Sequence, residues 1–219
     1  MITLIYYTAN RIPDKFAENV RDEIFVMANG KPIISISQKP LDFGKNICVG
    51  DIGYKVSNVY RQILIGAKEA DTDYVACCED DTLYVSEHFD FFPEEDAFYY
   101  NENRWNLNPT EYYYRMNRFN MSVCVAPTKL MIKTLEERFE KFGGTHPRHS
   151  GEPGRHEKSM GLTPVKMRKF RTDNPVIQIN HRISLGSVRK KKFVSDKFVE
   201  YLPYWHSASD LWRNVMDGR

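Results

Sequence analysis

The sequence has no long apolar run, and this shortage argues against an integral membrane helix. None of the apolar stretches in the 219 residues approaches the length of ~20 residues that spans a bilayer. The first residues, MITLIYYTANRIPDKF, lack the basic segment followed by an apolar segment that marks a signal peptide. We therefore expect no membrane span and a cytoplasmic location.

Cysteine is also scarce, with four residues in the chain and no CxxC spacing that would indicate a zinc site. Cys77 and Cys78 are neighbours in a strand pattern, so their side chains point to opposite faces and cannot readily bridge. We interpret all four, which include Cys48 and Cys124, as reduced thiols, as expected of a cytoplasmic protein.

The chain has no internal repeat or low-complexity segment, whereas apolar residues are plentiful. They make up 42% of the chain, and aromatic residues make up 13%, which is enough for a packed core and argues against a disordered protein. No strong domain boundary is visible. We therefore predict a single domain over residues 1–219.

The net charge of +2 conceals a segregation of charge along the chain. Residues 68–102 contain twelve Asp and Glu and one Lys, whereas residues 141–193 contain thirteen Lys and Arg and three Asp and Glu. An acidic and a basic region in one chain suit a site that holds a metal together with a polyanion. Two oppositely charged, solvated surfaces would give the same pattern.

Strand and helix patterns alternate through the first half of the chain. The strand patterns are ITLIYYT, KPIISISQKP and YVACCE, and the helix patterns between them are IPDKFAENVRDEIFVMANG and SNVYRQILIGAKEA. We interpret the glycine-containing segment DFGKNICVGDIG as a loop. This order predicts βαβ units and therefore an α/β fold with a mostly parallel central sheet.

The second half is more mixed. DAFYYNENRW, NMSVCVAP and PVIQINH are strand patterns, PTKLMIKTLEERFEKFGG is a helix pattern, and EYLPYWHSASDLW indicates a turn and a short helix. Residues 143–161 are rich in Gly, Pro, His and charge and are interpreted as a loop. Loops of this length in compact domains tend to carry function.

Three consecutive carboxylates, Glu79, Asp80 and Asp81, end the strand YVACCE. Ligands of open α/β sheets bind beyond the carboxyl ends of the parallel strands. Mg²⁺ and Mn²⁺ use one or two carboxylates and complete their shells with water and substrate phosphates. The cluster therefore suggests a metal–phosphate site, although a solvated turn would also tolerate it. In continued extended geometry, Glu79 and Asp81 would share one side and Asp80 would point to the other.

The segment YVACCEDDTLYVSEHF resembles the metal-binding segment of GT-A glycosyltransferases of the family-two-like, bacterial and phage type. Further segments resemble the same group, and together they cover residues 2–192: ITLIYYTANR, ISISQKPLDFGKNICVG, NENRWNL, RMNRFNMSVCVAP, SGEPGRHEKSMG and VIQINHRISLG. The resemblance implies a Rossmann-like, nucleotide-sugar-binding fold with a donor half at 1–92 and an acceptor half with a C-terminal tail at 93–219. If a phage encodes the chain, the expected location is the host cytoplasm.

The activity implied by the resemblance is transfer of a sugar from a nucleotide diphosphate donor to an acceptor hydroxyl, with Mn²⁺ or Mg²⁺ holding the diphosphate. Asp81 is the implied direct metal ligand, and His181 completes the metal shell. Asp80 is placed at the metal through water or at the donor ribose, and Glu79 at a sugar hydroxyl. His206 is the alternative to His181.

Further donor contacts are implied at the ends of the first two strands and on the second helix. The candidates are Thr8, Ala9 and Asn10 at the base, Ser37, Gln38 and Lys39 at the base or ribose, and Arg61 at the diphosphate. Surface or capping roles are the structural alternative for each of them.

The acceptor side is expected to contain a base, because an inverting transferase must take a proton from the acceptor hydroxyl. Glu152 is the first candidate for this base or for an acceptor ligand, and Glu157 is the second. Positive charges are expected to neutralise phosphate, and the candidates are Arg155, Arg189 and Lys190, with Lys191 and Lys192 in the same basic run. Trp105, Tyr99 and Tyr100 could supply a stacking platform or could pack in the core.

Two other classes of function remain open. The basic second half and the aromatic, arginine-containing segment TEYYYRMNRF could bind nucleic acid without catalysis. A metal-dependent nucleotidyltransferase or phosphohydrolase would also use paired carboxylates. A glycosyltransferase whose acceptor is an anionic glycan or a modified DNA base would use both the acidic and the basic region.

Overall fold

A computed structural model describes residues 1–114, 119–145, 151–181 and 197–217 of the chain. Two sheets with helices packed around them form an α/β fold in which the larger sheet has seven strands and the second has five. The larger sheet is mostly parallel, so the fold class predicted from the sequence is confirmed.

Fourteen strands are described. They are β1 (Ile2–Thr8), β2 (Ile33–Ser37), β3 (Lys45–Cys48), β4 (Tyr74–Glu79), β5 (Thr82–Leu83), β6 (Ala97–Asn101), β7 (Arg104–Leu107), β8 (Tyr112–Tyr114), β9 (Cys124–Pro127), β10 (Lys166–Phe170), β11 (Val176–Ile179), β12 (Phe198–Val199), β13 (Tyr201–Leu202) and β14 (His206–Ser207).

Five α-helices accompany these strands. They are α1 (Asp14–Ala28), α2 (Val56–Glu69), α3 (Ser86–Phe89), α4 (Thr128–Lys141) and α5 (Ala208–Asp217). Single 3₁₀ turns cover Met121–Val123 and Lys158–Met160. No helix in the described part of the chain is long and apolar enough to cross a membrane.

The larger sheet has the strand order β10-β6-β9-β4-β1-β2-β3. Strands β4, β1, β2 and β3 are parallel to one another, and β10 is parallel to β6. Only β9 runs antiparallel to both of its neighbours. Every residue of β1 is buried, as expected of a central strand covered on both faces.

The two faces of the larger sheet are covered by different elements. On one face, side chains of β1 and α1 share a core with strands of the second sheet and with α5. On the other face, β1 and β4 pack against α2 and α4. This layered arrangement leaves the carboxyl ends of β1, β2 and β4 at one edge, where the chain between strands can surround a ligand.

The second sheet has the order β12-β8-β7-β11-β5 and was not predicted as a separate layer. The segment DAFYYNENRW, predicted as one strand, is divided between the two sheets as β6 and β7. Buried Asn101 and Asn103 stabilise the point where the chain passes from the larger sheet to the second sheet. The Asn103 backbone N–H donates to Asn101 Oδ1 over 2.9 Å, and both side chains donate to Thr172. The division therefore depends on tertiary hydrogen bonds.

Two other strand assignments from the sequence were incomplete. Residues 45–48 lie inside the predicted loop, yet they form β3 at the edge of the larger sheet, where Asn46 Nδ2 donates to the hydroxyls of Ser35 and Ser37 over 2.9 Å. Strand β10 has mostly exposed charged side chains and lies at the opposite edge. Both are edge strands without an apolar face, so hydrophobic periodicity gave no signal for them.

Helix α2 packs unusually closely on the central strands at Gly66. A Cβ atom at this position would lie 2.5 Å from Ile5 Cγ2 and 3.4 Å from Ile36 Cγ1. Glycine therefore allows α2 to approach β1 and β2, and the same approach places the N-terminal half of α2 beside the carboxyl ends of both strands.

We predict that Gly66→Ala lowers the free energy of unfolding by about 1–3 kcal/mol, because β-branched Ile5 has no room to move and the core is overpacked. Chemical denaturation of the variant measures this loss. Lys68→Ala, at an exposed position of the same helix, is the control and should change stability by less than about 0.5 kcal/mol. Equal stability of the two variants would contradict the tight packing at Gly66.

Candidate functional site

A cavity of about 330 Å³ lies at the carboxyl ends of β1, β2 and β4. Its walls come from both the first and the second half of the chain, and they include parts of α2, the turn after β4, the 3₁₀ turn at Met121–Val123, residue 152 and the end of β11. The larger sheet, α2 and the second sheet therefore meet around one space.

All three carboxylates at the end of β4 line this cavity. The extended backbone ends at Glu79, and Asp80 and Asp81 form a turn. The condition for placing Asp80 on the other side from Glu79 and Asp81, a continued strand, is therefore not met, because the two-residue periodicity stops before it reaches Asp80.

Each carboxylate has its own polar partner. Tyr7 donates its hydroxyl to Glu79 over 3.0 Å, and Thr8 donates its hydroxyl to Asp80 over 2.5 Å. The His181 Nε2 atom lies 3.2 Å from Asp81 Oδ2. The cluster is thus connected to β1 through two hydroxyls and to the end of β11 through an imidazole.

Glu79 and Asp80 hold protons more tightly than isolated carboxylates. Loss of hydration raises the pKa of Asp80 to about 7, the charge of Asp81 adds to this rise, and the Thr8 hydrogen bond opposes it. Loss of hydration and the charge of Asp81 also raise the pKa of Glu79 well above its ordinary value. Crowded carboxylates of this kind would be stabilised in their charged form by a cation.

Asp81 and His181 are brought together although they are 100 positions apart in the chain. The backbone N–H of Ile179 donates to the Asp81 carbonyl over 2.7 Å, which ties β11 to the acidic turn. The Phe16 ring packs edge-on against the His181 ring at a centroid distance of 5.6 Å and limits its rotation.

The donor atoms of this pair fit a divalent cation that keeps most of its other ligands as water or phosphate. Asp81 offers a carboxylate oxygen and His181 an imidazole nitrogen, and both side chains line the cavity. In the part of the chain that the structure describes, no group of three or more His, Cys, Asp and Glu is arranged around a metal position. His206 is exposed on β14, its Nδ1 lies 3.2 Å from the Tyr201 hydroxyl, and it does not line the cavity.

The structure divides the candidate donor residues into lining and supporting residues. Thr8, Ala9 and Gln38 line the cavity. Ser37 is buried and donates its hydroxyl to the Lys39 carbonyl over 2.6 Å. This hydrogen bond supports the backbone after β2, but Ser37 itself does not line the cavity. Lys39 is exposed and is not among the lining residues.

Asn10 also supports the cavity from behind. It has a left-handed backbone with a φ of 51°, and its Oδ1 accepts from the backbone N–H groups of Gln38 over 2.8 Å and Lys39 over 3.0 Å. This side chain connects the loop after β1 to the loop after β2 and holds Gln38 at the cavity.

Arg61 lies outside the cavity. It is exposed on α2, and its Nη2 atom donates to the Gly144 carbonyl over 2.9 Å at the end of α4. The face of α2 that meets the cavity contains Asn58 and Gln62. Successive residues of an α-helix point in directions about 100° apart, so Arg61 points away from the face that contains Gln62 and toward α4.

Several residues that line the cavity were not among the candidates predicted from the sequence. Gln62 is 2% exposed, and its amide donates to the carbonyls of Thr8 over 2.8 Å and Ile36 over 3.0 Å, which joins the ends of β1 and β2. Asn58 donates to the Gly53 carbonyl over 2.9 Å and holds the loop before α2. The available signal was a pair of uncharged polar residues four positions apart on one face of an amphipathic helix.

The loop before α2 brings a further pair of side chains to the cavity. Tyr54 lines the cavity, and the Arg11 guanidinium lies over the Tyr54 ring at 4.4 Å from its centroid. Arg11 also lines the cavity. An aromatic ring and a cation at this end could contact a nucleoside.

Glu152 also lines the cavity and accepts a hydrogen bond from the Tyr60 hydroxyl. Loss of hydration raises the pKa of Glu152, whereas the Tyr60 hydrogen bond and the charges of Arg138 and Arg104 act in the opposite direction. Arg104 is buried in the same wall and donates to Gln178 Oε1 over 2.7 Å. A carboxylate with a raised pKa in a cavity is suited to take up a proton.

Glu157 does not line the cavity. It is buried and forms an ion pair with buried Arg138. This pairing accounts for a buried carboxylate at Glu157 without a role in catalysis. The geometry therefore separates the two acids of the GEPGRHE segment, because only Glu152 reaches the cavity.

The remaining candidates on the acceptor side have other placements. Arg155 is exposed, and its guanidinium lies 5.5 Å from the centroid of the Phe119 ring, which lines the cavity. Trp105 and Tyr99 pack against other aromatic rings, and Tyr100 donates its hydroxyl to the Pro153 carbonyl. None of these three lines the cavity. The basic run from Arg189 to Lys192 lies outside the described residues.

No protein-family model and no curated protein sequence matches this chain. Similar solved structures include a glycosyltransferase involved in the glycosylation of the major capsid of PBCV-1, with 11% identity and a TM-score of 0.47 over 81% of this chain and 91% of that chain. They also include a Drosophila β1,4-galactosyltransferase 7 in complex with manganese, UDP-Gal and xylobiose, with 12% identity and a TM-score of 0.45 over 83% of this chain and 71% of that chain.

A nucleotidyl transferase from Methanothermobacter is also similar, with 11% identity and a TM-score of 0.41 over 62% of this chain and 76% of that chain. The similar structures thus include glycosyltransferases, the class that the sequence resembles, and nucleotidyl transferases. Because the TM-scores are below 0.5, the function proposed below rests on the residues of the cavity alone.

We predict that Asn10→Ala lowers the free energy of unfolding by about 1–3 kcal/mol, because two backbone N–H groups lose their acceptor and alanine tolerates a positive φ poorly. Chemical denaturation measures the loss. Asn10→Asp is the matched control, since it keeps the acceptor oxygen and the tolerance of a left-handed backbone. The Asp variant should retain most of the stability, and an equal loss in both variants would contradict the anchoring role of Oδ1.

Proposed function

We propose that the chain is a divalent-cation-dependent glycosyltransferase that moves a sugar from a nucleotide diphosphate donor to an acceptor hydroxyl. The observation that carries this proposal is that one cavity is lined both by the Asp81–His181 pair and by Glu152. The first suits a cation that binds phosphate, and the second suits a group that accepts a proton.

Asp81 and His181 would hold Mn²⁺ or Mg²⁺, with Asp80 close by. When bound, the cation would bind the donor diphosphate and stabilise the negative charge that develops on it as it leaves. Three neighbouring carboxylates in one wall would otherwise repel a diphosphate, so the proposal accounts for a charge distribution that is unfavourable on its own.

In the proposed reaction, the carboxylate of Glu152 takes the proton of the acceptor hydroxyl. The acceptor oxygen forms a bond to the anomeric carbon of the donor sugar, the bond from that carbon to the diphosphate oxygen breaks, and its electron pair leaves with the nucleoside diphosphate. Glu152 ends as a carboxylic acid and returns the proton to solvent. The upward shift of its pKa makes Glu152 a stronger base than an exposed glutamate.

The nucleoside is placed at the end of the cavity formed by the loops after β1 and β2. Thr8, Ala9 and Gln38 retain their proposed role in donor binding, and Tyr54 and Arg11 join them. We further propose that residues 1–92 and 93–219 act as one domain, because both contribute walls to the same cavity.

The acceptor is proposed to be anionic, such as a modified base in DNA or a phosphorylated glycan. Two cations face the Phe119 ring at the cavity wall, with the Arg155 guanidinium at 5.5 Å and the Lys169 amine at 5.7 Å from its centroid. Both side chains are exposed, and Lys169 also pairs with Glu102 over 3.3 Å. An anionic group that enters the cavity past Phe119 would therefore meet positive charge.

We predict that a panel of nucleotide sugars incubated with the protein and Mn²⁺ yields a nucleoside diphosphate from at least one donor, and that EDTA abolishes its release. Asp81→Asn and His181→Ala should each lower kcat by at least about 100-fold, because each removes a proposed ligand of the cation. His206→Asn is the control and should leave kcat unchanged, since His206 lies outside the cavity.

A parallel incubation with nucleoside triphosphates, sugar phosphates and Mn²⁺ separates the glycosyltransferase from the other metal-dependent class. A nucleotidyltransferase would instead release pyrophosphate from a nucleoside triphosphate and a sugar phosphate. Pyrophosphate release without any nucleoside diphosphate from the panel would contradict the proposal, as would full activity in the presence of EDTA.

We predict that the double variant Arg155→Ser/Lys169→Ser weakens binding of short duplex DNA or of a phosphorylated glycan by about tenfold or more at low salt, because two charge contacts are lost. Nucleotide-sugar affinity should be unchanged. Fluorescence anisotropy with labelled DNA, repeated at moderate salt, measures the effect and its screening. A variant with Ser at residues 189–192 tests the basic run separately. A neutral glycan that is preferred as acceptor would contradict the proposed class of acceptor.

A further inference from the structure

The turn that contains Glu152 is held from both sides by buried side chains. Arg138 on α4 donates from Nη1 to the Gly151 carbonyl over 3.1 Å. Tyr100 on β6 donates its hydroxyl to the Pro153 carbonyl over 2.9 Å. The two carbonyls flank Glu152 in the chain, so its backbone is fixed immediately before and immediately after the carboxylate.

The glycines of this turn allow it to lie directly against the neighbouring strand. Gly154 has a φ of +88°, and a Cβ atom there would lie 2.8 Å from Met167 Cβ and 3.0 Å from the Lys166 carbonyl oxygen of β10. Gly151 also has a positive φ, of +62°. A loop residue held in this way can be as well defined as one on a strand, which a catalytic group requires.

Arg138 connects this turn to a second buried charge. Its Nη2 donates to Glu157, and both side chains are almost completely withdrawn from solvent. A buried ion pair is weak evidence for stability, because desolvation opposes the attraction between its charges. The planar guanidinium, however, can bind Glu157 with one nitrogen and the Gly151 carbonyl with the other, so the ion pair fixes the direction of the second hydrogen bond.

Tyr60 holds the carboxylate itself. It is 4% exposed on α2, and its hydroxyl donates to Glu152 Oε2. The bond occupies one of the two carboxylate oxygens and limits rotation of the side chain. Tyr60 and Glu152 both line the cavity.

We propose that Tyr60 and Arg138 are positioning residues that hold Glu152, Tyr60 by its carboxylate and Arg138 by the adjacent backbone, in the orientation that accepts a proton from an acceptor in the cavity. This inference deepens the proposed function and rests on it. Neither residue reacts with the substrate, and neither was a candidate from the sequence.

The proposal predicts a change in the pH dependence. Ionisable groups face Glu152 from every element packed around it, namely Tyr60 (α2), Cys77 (β4), Tyr100 (β6), Arg104 (β7), Cys124 (β9), Arg138 (α4) and Arg155 in its own segment. Of the interactions that lower the pKa of Glu152, the Tyr60 hydrogen bond is the largest. Without that hydroxyl the pKa of Glu152 rises further, so the carboxylate form is lost at a higher pH.

Tyr60→Phe removes the hydroxyl and keeps the ring. With the donor identified by the panel, we expect kcat to fall by about 10-fold to 100-fold, as for a misplaced catalytic group, with an unchanged KM for the donor. The acid limb of the kcat profile should move to higher pH. Tyr112→Phe is the matched control: the Tyr112 hydroxyl donates to the Trp205 carbonyl over 3.2 Å, and Tyr112 does not line the cavity. This control should leave kcat and the profile unchanged.

Arg138→Lys tests the second positioning residue. A lysine can keep the charge beside Glu157, but it has no planar fork to reach the Gly151 carbonyl at the same time. We expect a lower kcat with an unchanged donor KM. If this variant does not fold, the Tyr60→Phe result decides the proposal by itself, and a kcat within twofold of the wild type with an unmoved acid limb overturns it.

Carbon-13 NMR titration of the glutamate carboxyls separates failure of this inference from failure of the proposed function. Glu152→Gln assigns the Glu152 resonance, and the titration needs no substrate. A higher Glu152 pKa in Tyr60→Phe than in the wild type supports the positioning contact even if no donor in the panel is turned over. An unchanged pKa overturns it even if the wild type is an active glycosyltransferase.

Discussion

Repulsion among Glu79, Asp80 and Asp81 is the constraint on which the arrangement of the cavity depends. Three carboxylates at the end of one strand are unfavourable unless hydroxyls, an imidazole or a cation compensate their charge. Each of them has a partner from another element, with the two hydroxyls coming from β1 and the imidazole from His181, the second residue after β11. The cluster therefore requires the central sheet and the second sheet to meet at this point.

The second sheet satisfies that requirement through its short strand β5. This strand follows the acidic turn at once and pairs with β11, so the chain that leaves the cluster also binds the strand that brings His181 to it. On the opposite side, Gly66 lets α2 approach β1, and Gln62 on the same helix joins the carbonyls at the ends of β1 and β2. Packing at these distant positions thus determines which polar groups converge on the cavity.

Local patterns in the sequence were sufficient for the parts of this arrangement that repeat along the chain. The alternation of strands and helices predicted the parallel part of the sheet, and resemblance of the EDD segment to a known family placed Asp81 and His181 at one position. The sequence ranked Glu152 before Glu157 but could not show which of them lines a cavity, because the two acids lie in one glycine-containing segment and differ only in tertiary partners. One meets Tyr60 at the cavity, and the other meets Arg138 in the interior. Arg61 was misplaced for a similar reason, since a shift of one residue along a helix decides whether a side chain faces the cavity or α4.

The two acidic groups at the cavity are held by different means, and the difference matches the two tasks proposed for them. The carboxylates after β4 are held by hydroxyls of β1 and by His181, and a bound cation would compensate their charge. Glu152 lies outside regular secondary structure, so its precision must come from elsewhere, and buried contacts to Tyr60 and Arg138 provide it. The buried Arg138–Glu157 ion pair is weak evidence for stability, because desolvation opposes the attraction between its charges. Arg138 holds the backbone beside Glu152, which lines the cavity, and we infer that the ion pair serves the geometry of Glu152 more than the stability of the fold.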